Sequence, residues 1–538
     1  MKFMISTPIY YVNAPPHMGH FYCSLAADVI ARWRRQRGDE VFFLTGTDEH
    51  GANIEKLSAE AGITPGEFVD RMAAEHIKFA KDLGISNDDF IRTTEDRHVK
   101  SVQEFWRRIA SGKAPDGGPT VTKGEYEGWY CRPCEAYFLE GDLVGGNCPD
   151  HKLPVEKVKE ESYFFRLSGF QKYYEDLFAA EEKKAPGDRF IVPETRFNEV
   201  RGLVREGLRD VAATRTKVKW GIPVPDDPKH VIHVWYDAVM NYTTAAGFPH
   251  DMQKFGKYWP ADMHLIGKEI IRFHALMWPA MLIAAGFPLP GRIVAHGWWT
   301  VDGEKISKTR GNGIDPRDLA AKYSLDAVRY YLMREISFGA DGDYSEKKFI
   351  ERYNADLAND FGNLAHRTIS MSFRYLVGKL KRPATSPWRA QFEERWKPAE
   401  HPALYAAIAE GEKRGLSPIQ AALEALTDRA LAIPQPQDVL MGMWEMVKRG
   451  NLFCESCSPW NKTVQEQEET LGRVLELLEA ISWPLMAFIP DAAGKLRERL
   501  GVPRDRQVPL PDTFELTAGD PLFPRIDTKK PKDGSAAK

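Results

Sequence analysis

The stretch Phe3-Met4-Ile5-Ser6-Thr7-Pro8-Ile9-Tyr10-Tyr11-Val12-Asn13-Ala14-Pro15-Pro16-His17-Met18-Gly19-His20 decides the fold. Its first four residues are an apolar run that reads as a strand, and Asn13 to Pro16 supply turn chemistry. A helix follows: Phe21, Leu25, Val29 and Trp33 recur every four residues and Gly38 closes the pattern. Val41-Phe42-Phe43-Leu44 is a second apolar strand, running into the polar Thr47-Asp48-Glu49-His50-Gly51. Strand, helix, strand with short joints predicts a βαβ unit and a parallel sheet.

Working outward, helical patterns fill most of 52–112, and between 115 and 228 the texture changes to Gly- and Pro-rich segments with a cysteine cluster. That change reads as an insertion. The α/β rhythm resumes with Val231-Ile232-His233-Val234-Trp235, then Met263-His264-Leu265-Ile266, then Arg292-Ile293-Val294-Ala295-His296. From about 346 the chain is almost wholly helical, broken by the polar stretch 381–402, and 511–538 reads as a loose tail. The expected class is α/β: a Rossmann-like parallel sheet split by a zinc-containing insertion, followed by an all-α bundle. The expected division is 1–114 and 229–296 for the two halves of the nucleotide-binding domain, 115–228 for the insertion, 297–350 for a loop and stem-contact region, 351–510 for the helical domain, and 511–538 for a flexible tail.

Composition bounds the function. At 538 residues the chain suggests about three or four domains. Hydrophobic residues at 43% and charged residues at 28% exclude a disordered or fibrous protein. The net charge of −3 excludes a globally basic nucleic-acid coat but leaves a local basic track open. The apolar stretch 275–291 contains Pro279, Pro288 and Pro290 and is shorter than the roughly 20 residues of a membrane span. A buried helix, no signal peptide and a cytoplasmic location are the expectations.

Cys131-x2-Cys134 is followed by Cys148-x2-His151, two knuckles whose spacing suits four tetrahedral ligands of a structural Zn²⁺. Gly145-Gly146 and Pro149 fit the tight turns such knuckles need. Cys454-x2-Cys457 has no second pair after it and falls in a helical segment, so metal binding is not expected there; Cys23 reads as core.

Two motifs point to phosphate chemistry. His17 and His20 flank Gly19 at a helix start, where backbone N–H groups attract anions, and Gly19 leaves room for a flat base. Lys305-Ile306-Ser307-Lys308-Thr309 puts two lysines three apart in a loop after the last expected strand, a mobile clamp for a polyphosphate. A capped helix end and an exposed basic loop are the plainer readings of each motif alone. Together they would lie at the carboxyl edge of one sheet, where ligands bind.

With these motifs the chain resembles the class I aminoacyl-tRNA synthetases, whose HIGH and KMSKS signatures they match with Met18, Ile306 and Thr309 as conservative departures. Thr7-Pro8-Ile9-Tyr10-Tyr11-Val12-Asn13, Leu44-Thr45-Gly46-Thr47-Asp48-Glu49-His50-Gly51, Val234-Trp235-Tyr236-Asp237-Ala238 and Ile266-Gly267-Lys268-Glu269-Ile270 narrow the resemblance to the methionyl-tRNA synthetases, bacterial type with a single zinc knuckle, over nearly the whole chain to about 500. The resemblance implies a methionine–tRNA ligase: Mg²⁺-ATP activates L-methionine to the adenylate, and the methionyl group passes to tRNA(Met) for initiation and elongation. It assigns His17, Gly19, His20, Lys305, Ser307 and Lys308 to ATP and pyrophosphate. It assigns Pro8, Ile9, Tyr11, Trp235, Ala238, Tyr242 and Ile270 to the methionine pocket, with Asp48 on the α-ammonium and His274 beside Tyr11 near the sulfur. Asn363, Arg367 and Trp460 would read the anticodon by stacking and edge contacts. A monomer is expected. A class I synthetase for another amino acid and a catalytically silent RNA-binding relative are the competing readings; the intact histidines and lysines argue against the second.

Overall fold

The computed structural model describes residues 1–131, 136–138, 140–149, 152–305 and 313–527. Two compact units divide the chain, Met1–Arg34 with Gly38–Trp298, and Arg35–Arg37 with Trp299–Lys538.

The first unit is built on a six-stranded sheet. Its centre is β1 (Lys2–Tyr11), paired in parallel with β2 (Glu40–Asp48) on one side and with Met263–Gly267 on the other. β3 (Asp89–Arg92) extends the sheet beyond β2, and Ile293–His296 extends it at the other end. The helix α1 (Met18–Gln36) forms the expected crossover, and Phe21, Leu25, Val29 and Trp33 are all buried. Each such side chain contributes about 1.5–3 kcal/mol on leaving water. Gly38, at φ 82°, turns the chain into β2.

Several sequence expectations need correction. β3 was hidden among helical patterns, because only Phe90 and Ile91 are apolar between two charged ends. The stretch Val231-Ile232-His233-Val234-Trp235 is not a strand of the parallel sheet. Asp227–Ile232 pairs antiparallel with Thr214–Arg215 and Pro223–Val224, and a helix, Val234–Val239, begins before Trp235. The expected insertion is also not self-contained. Its four-stranded sheet holds Val121–Cys131, Ala136–Phe138, Glu156–Phe165 and Val211–Ala212. Between them the chain returns to the main sheet, where Ile191–Val192 pairs in parallel with Ile293 and Val294 as the outermost strand.

The second unit opens with a small sheet of Trp299–Val301, Glu304–Lys305 and Gly342–Tyr344 and continues as helices. The longest are Pro436–Cys457 and Val464–Phe488. The polar stretch 381–402 carries a helix of its own, Trp388–Arg395, because Trp388 is fully buried and its indole N–H donates to the Arg473 carbonyl at 2.7 Å. The expected loose tail is docked as far as it is described. Thr513–Glu515 pairs antiparallel with Lys379–Lys381, Phe523 is buried beside Tyr353 and Phe361, and Asn354 exchanges two hydrogen bonds with the backbone of Ile526. No helix among the described residues is long and apolar enough to cross a membrane.

Candidate functional site

The carboxyl ends of β1, β2, Met263–Gly267 and Ile293–His296 form one edge of the sheet, the edge at which open α/β sheets bind ligands. The pairing of β1 with β2 shifts register between Ser6 and Ile9, a local irregularity of the kind that re-aims side chains beside binding sites. Past it, Tyr11 stands opposite Asp48.

At the start of α1 the two motif histidines are locked by the backbone. The His17 N–H donates to Nδ1 of His20 at 3.1 Å, and the Gly19 N–H donates to Nδ1 of His17 at 3.0 Å. A neutral imidazole that accepts at Nδ1 carries its proton on Nε2. The rings lie 4.1 Å apart. Burial pushes the His20 imidazole well below its ordinary value, reinforced by His17 and His76, so His20 is a neutral donor at physiological pH. Tyr10 fixes the helix start further: its ring meets His20 edge-on at 4.8 Å and its hydroxyl donates to the His20 carbonyl at 3.1 Å. Gly19 has a sharper role than the room for a base expected from the sequence. A Cβ there would come within 2.9 Å of His17 Cε1, so the glycine is what lets the His17 ring fold back over the helix end.

Deeper in the unit, Ile9, Trp235 and Ile270 pack on the same hydrophobic cluster, which contains Tyr242. Pro8 is half-buried and Ala238 buried. Trp235 stacks on Phe273 at 3.8 Å with ring planes 4° apart. Tyr11 packs on a neighbouring cluster of Val12, Ile54 and Val69. His274 uses both nitrogens within the protein: Nδ1 donates to the Ile270 carbonyl at 3.1 Å, and Nε2 accepts from the Tyr242 hydroxyl at 2.8 Å. Burial lowers its imidazole to about 4, so it stays neutral. In this arrangement neither nitrogen is available to donate to a sulfur, and the tyrosine–histidine pair acts as a rigid polar wall. Asp48 is buried at the end of β2, and its carbonyl accepts the Val12 N–H at 3.2 Å.

Around Asp48 the structure shows a buried polar set to which the sequence motifs assign no task. The Glu49 carboxylate is fully buried and accepts two N–H bonds from Arg92 at 2.7 and 3.0 Å. His50 and His98 both donate to Asp237. The signal lay in the motifs themselves, since Glu49, His50 and Asp237 sit inside stretches singled out for their neighbours.

Cys131 and Cys148 are fully buried and share a small cluster with Phe138. Gly145 and Gly146 both adopt positive φ in the turn that leads to Cys148, and Lys152, at φ 55°, follows it. Cys134 and His151 lie outside the described residues, as do Ser307 and Lys308. Lys305 is placed by its backbone, opposite Thr300 in a two-strand ladder. Glu161, Asp227 and His230 also converge, but Lys123 bridges both carboxylates at 2.9 and 3.0 Å and Lys229 reaches Glu161 at 2.9 Å, so ammonium groups already neutralise that cluster.

In the second unit Asn363 and Arg367 share a face of the helix Asn363–Leu376. Asn363 is exposed, while Arg367 is half-buried and donates to Asn451 at 3.3 Å. Trp460, 43% exposed, stands in a short 3₁₀ turn, Pro459–Asn461, after Ser458 reverses the chain in the left-handed region. Cys454 is buried in the preceding helix.

A family described as tRNA synthetases class I (M) matches residues 3–156 and 152–369. The methionine–tRNA ligase of Thermotoga maritima is 40% identical over 98% of this chain and 81% of its own length. Those of Streptomyces coelicolor and Rickettsia bellii are each 41% identical over 98% of this chain, covering 97% and 99% of themselves. Among solved structures, Mycobacterium tuberculosis methionyl-tRNA synthetase in complex with methionyl-adenylate superposes with a TM-score of 0.85 at 36% identity, over 97% of this chain and 100% of that one.

Proposed function

The chain belongs to the class I methionyl-tRNA synthetases, and from that premise we propose how its residues divide the work of a methionine–tRNA ligase. Its reaction joins methionine to tRNA at the expense of ATP. Little covalent catalysis is needed for adenylate formation; positioning and charge stabilisation supply most of the acceleration.

His17 and His20 hold the ATP phosphates through their Nε2–H groups. The paired use of Nδ1 as a backbone acceptor carries this assignment, because it leaves Nε2 of each ring to carry the donor proton. Gly19 keeps His17 in that pose. Lys305 and Lys308, with Ser307, neutralise the departing pyrophosphate; their order in the motif and the family resemblance support this. Mg²⁺ accompanies the nucleotide. Methionine lies against Pro8, Ile9, Tyr11, Trp235, Ala238, Tyr242 and Ile270, with Asp48 for its ammonium group. His274 lies near the sulfur, held in place by its contacts with Tyr242 and the Ile270 carbonyl.

Cys131, Cys134, Cys148 and His151 hold one zinc, which pins the inserted knuckle. The burial of Cys131 and Cys148 around one turn fits thiolate ligation. A one-to-one zinc content, lost in a Cys131→Ser/Cys134→Ser variant, is the expected result. Asn363, Arg367 and Trp460 read the anticodon, and the enzyme works as a cytoplasmic monomer. ATP–pyrophosphate exchange tests the central assignment: methionine should support it and the other amino acids should not. Exchange driven by a different amino acid would overturn it.

A further inference from the structure

Three segments of the first unit meet on one carboxylate that the chemistry above does not use. Oδ2 of Asp237 accepts from His50 Nδ1 at 2.6 Å, and Oδ1 accepts from His98 Nε2 at 2.7 Å. Asp237 and His98 are fully buried and His50 nearly so. Burial alone would raise the Asp237 carboxyl, but the two imidazoles overcome it and hold it at about 2, so the carboxylate stays ionised.

The sequence positions of these residues matter. His50 lies two residues after Asp48, at the end of β2. Asp237 lies between Trp235 and Ala238 on the helix Val234–Val239. His98 lies in the first turn of Asp96–Ser111, and its Nδ1 contacts Thr244 Oγ1 at 3.2 Å, two residues beyond Tyr242. The turn at 48–50 is gripped from its other side as well: the Trp220 indole donates to the Glu49 carbonyl at 2.6 Å, and Arg92 holds the Glu49 carboxylate. Burying such a charged set is a poor source of stability, since an apolar set of equal volume often serves as well. A network with fixed directions does something an apolar contact cannot: it sets the spacing between segments.

We propose that Asp237, bridging His50 and His98, is a positioning residue that fixes the distance from Asp48 to the wall formed by Trp235 and Ala238, and so sets the fit for methionine. The proposal rests on the methionine pocket assigned above. It acts through its neighbours and touches no substrate.

The test measures ATP–pyrophosphate exchange in the full chain, varying methionine and ATP separately, with active-site titration to correct for inactive protein. Asp237→Asn keeps the volume but removes the charge that both histidines serve. It should raise the methionine KM about 10- to 100-fold and leave the ATP KM within about twofold. A lower active fraction with both KM values unchanged, or equal rises in both, would overturn the positioning role. If Asp237→Asn does not fold, His98→Gln decides: a selective rise in methionine KM supports the role, and an unchanged value overturns it. Trp235→Ala serves as the reference. If it raises methionine KM while the Asp237 and His98 variants do not, only the positioning role fails; if it has no effect, the pocket itself is misassigned.

Discussion

The backbone N–H of His17 is bonded to Nδ1 of His20 at 3.1 Å, so the first histidine of the motif dictates the tautomer of the second. Because burial keeps His20 neutral, an NMR titration should place its midpoint below the ordinary histidine value of about 6.5. His20→Ala should lower kcat for exchange by about 10²–10³-fold, the scale for removing a preorganised donor. Methionine affinity, measured by fluorescence, should not change. An equal loss of affinity would contradict the role.

Gly19→Ala separates fold from function at one atom. A methyl group at this position collides with His17 Cε1 at 2.9 Å, while alanine in place of a helical glycine favours the helix by about 1 kcal/mol. Exchange should drop about 10- to 100-fold with no fall in melting temperature. A variant that loses both together would place the glycine's importance in folding.

Tyr242→Phe leaves His274 Nε2 as a buried acceptor with no hydroxyl to meet it, a cost of about 1–3 kcal/mol in urea unfolding. The same histidine predicts an acid effect. Its folded value is about 4, and the unfolded value is about 6.5. Between these the unfolded chain holds the proton and the folded one does not, so stability is full above the unfolded value and is lost as pH falls. From pH 7.5 to 5 the loss from this group is roughly 2 kcal/mol, and His274→Gln should remove that share of the slope.

Trp460→Ala should impair tRNA charging about 10- to 100-fold in kcat/KM, the scale of one lost base stack of about 1–3 kcal/mol. Pyrophosphate exchange should remain intact, because Trp460 is exposed and supports no core. Loss of exchange as well would show a structural role.

The parallel core was legible because β1, α1 and β2 carry strong apolar periodicity. Ile191–Val192 and β3 were not, because two and four residues are too short to show a period. Of the candidate site, the identities of His17, His20 and Asp48 were legible from motif spacing. Their tautomers were not, since those depend on backbone N–H directions. The contact of His274 with Tyr242 was likewise hidden: Tyr242 lies thirty-two residues away, and only the packing of two helices brings them together. The docking of 511–527 is hard to read from composition because its apolar anchors, Phe514 and Phe523, are isolated and the rest of its hold is hydrogen bonding to its backbone.

That docking also bears on the order in which the protein is made. Lys379–Lys381 waits for Thr513–Glu515, and Asn354 for Ile526, a separation of 172 residues. A ribosome must therefore synthesise every described helix of the second unit, the last ending at Arg499, before the strand that closes them exists. Until then Leu380 lacks its strand partner and Phe361 lacks the ring of Phe523. The parallel strands of the first unit, the farthest ending at His296, are all synthesised long before that, so the sheet that carries the site owes nothing to the segment that closes the helices.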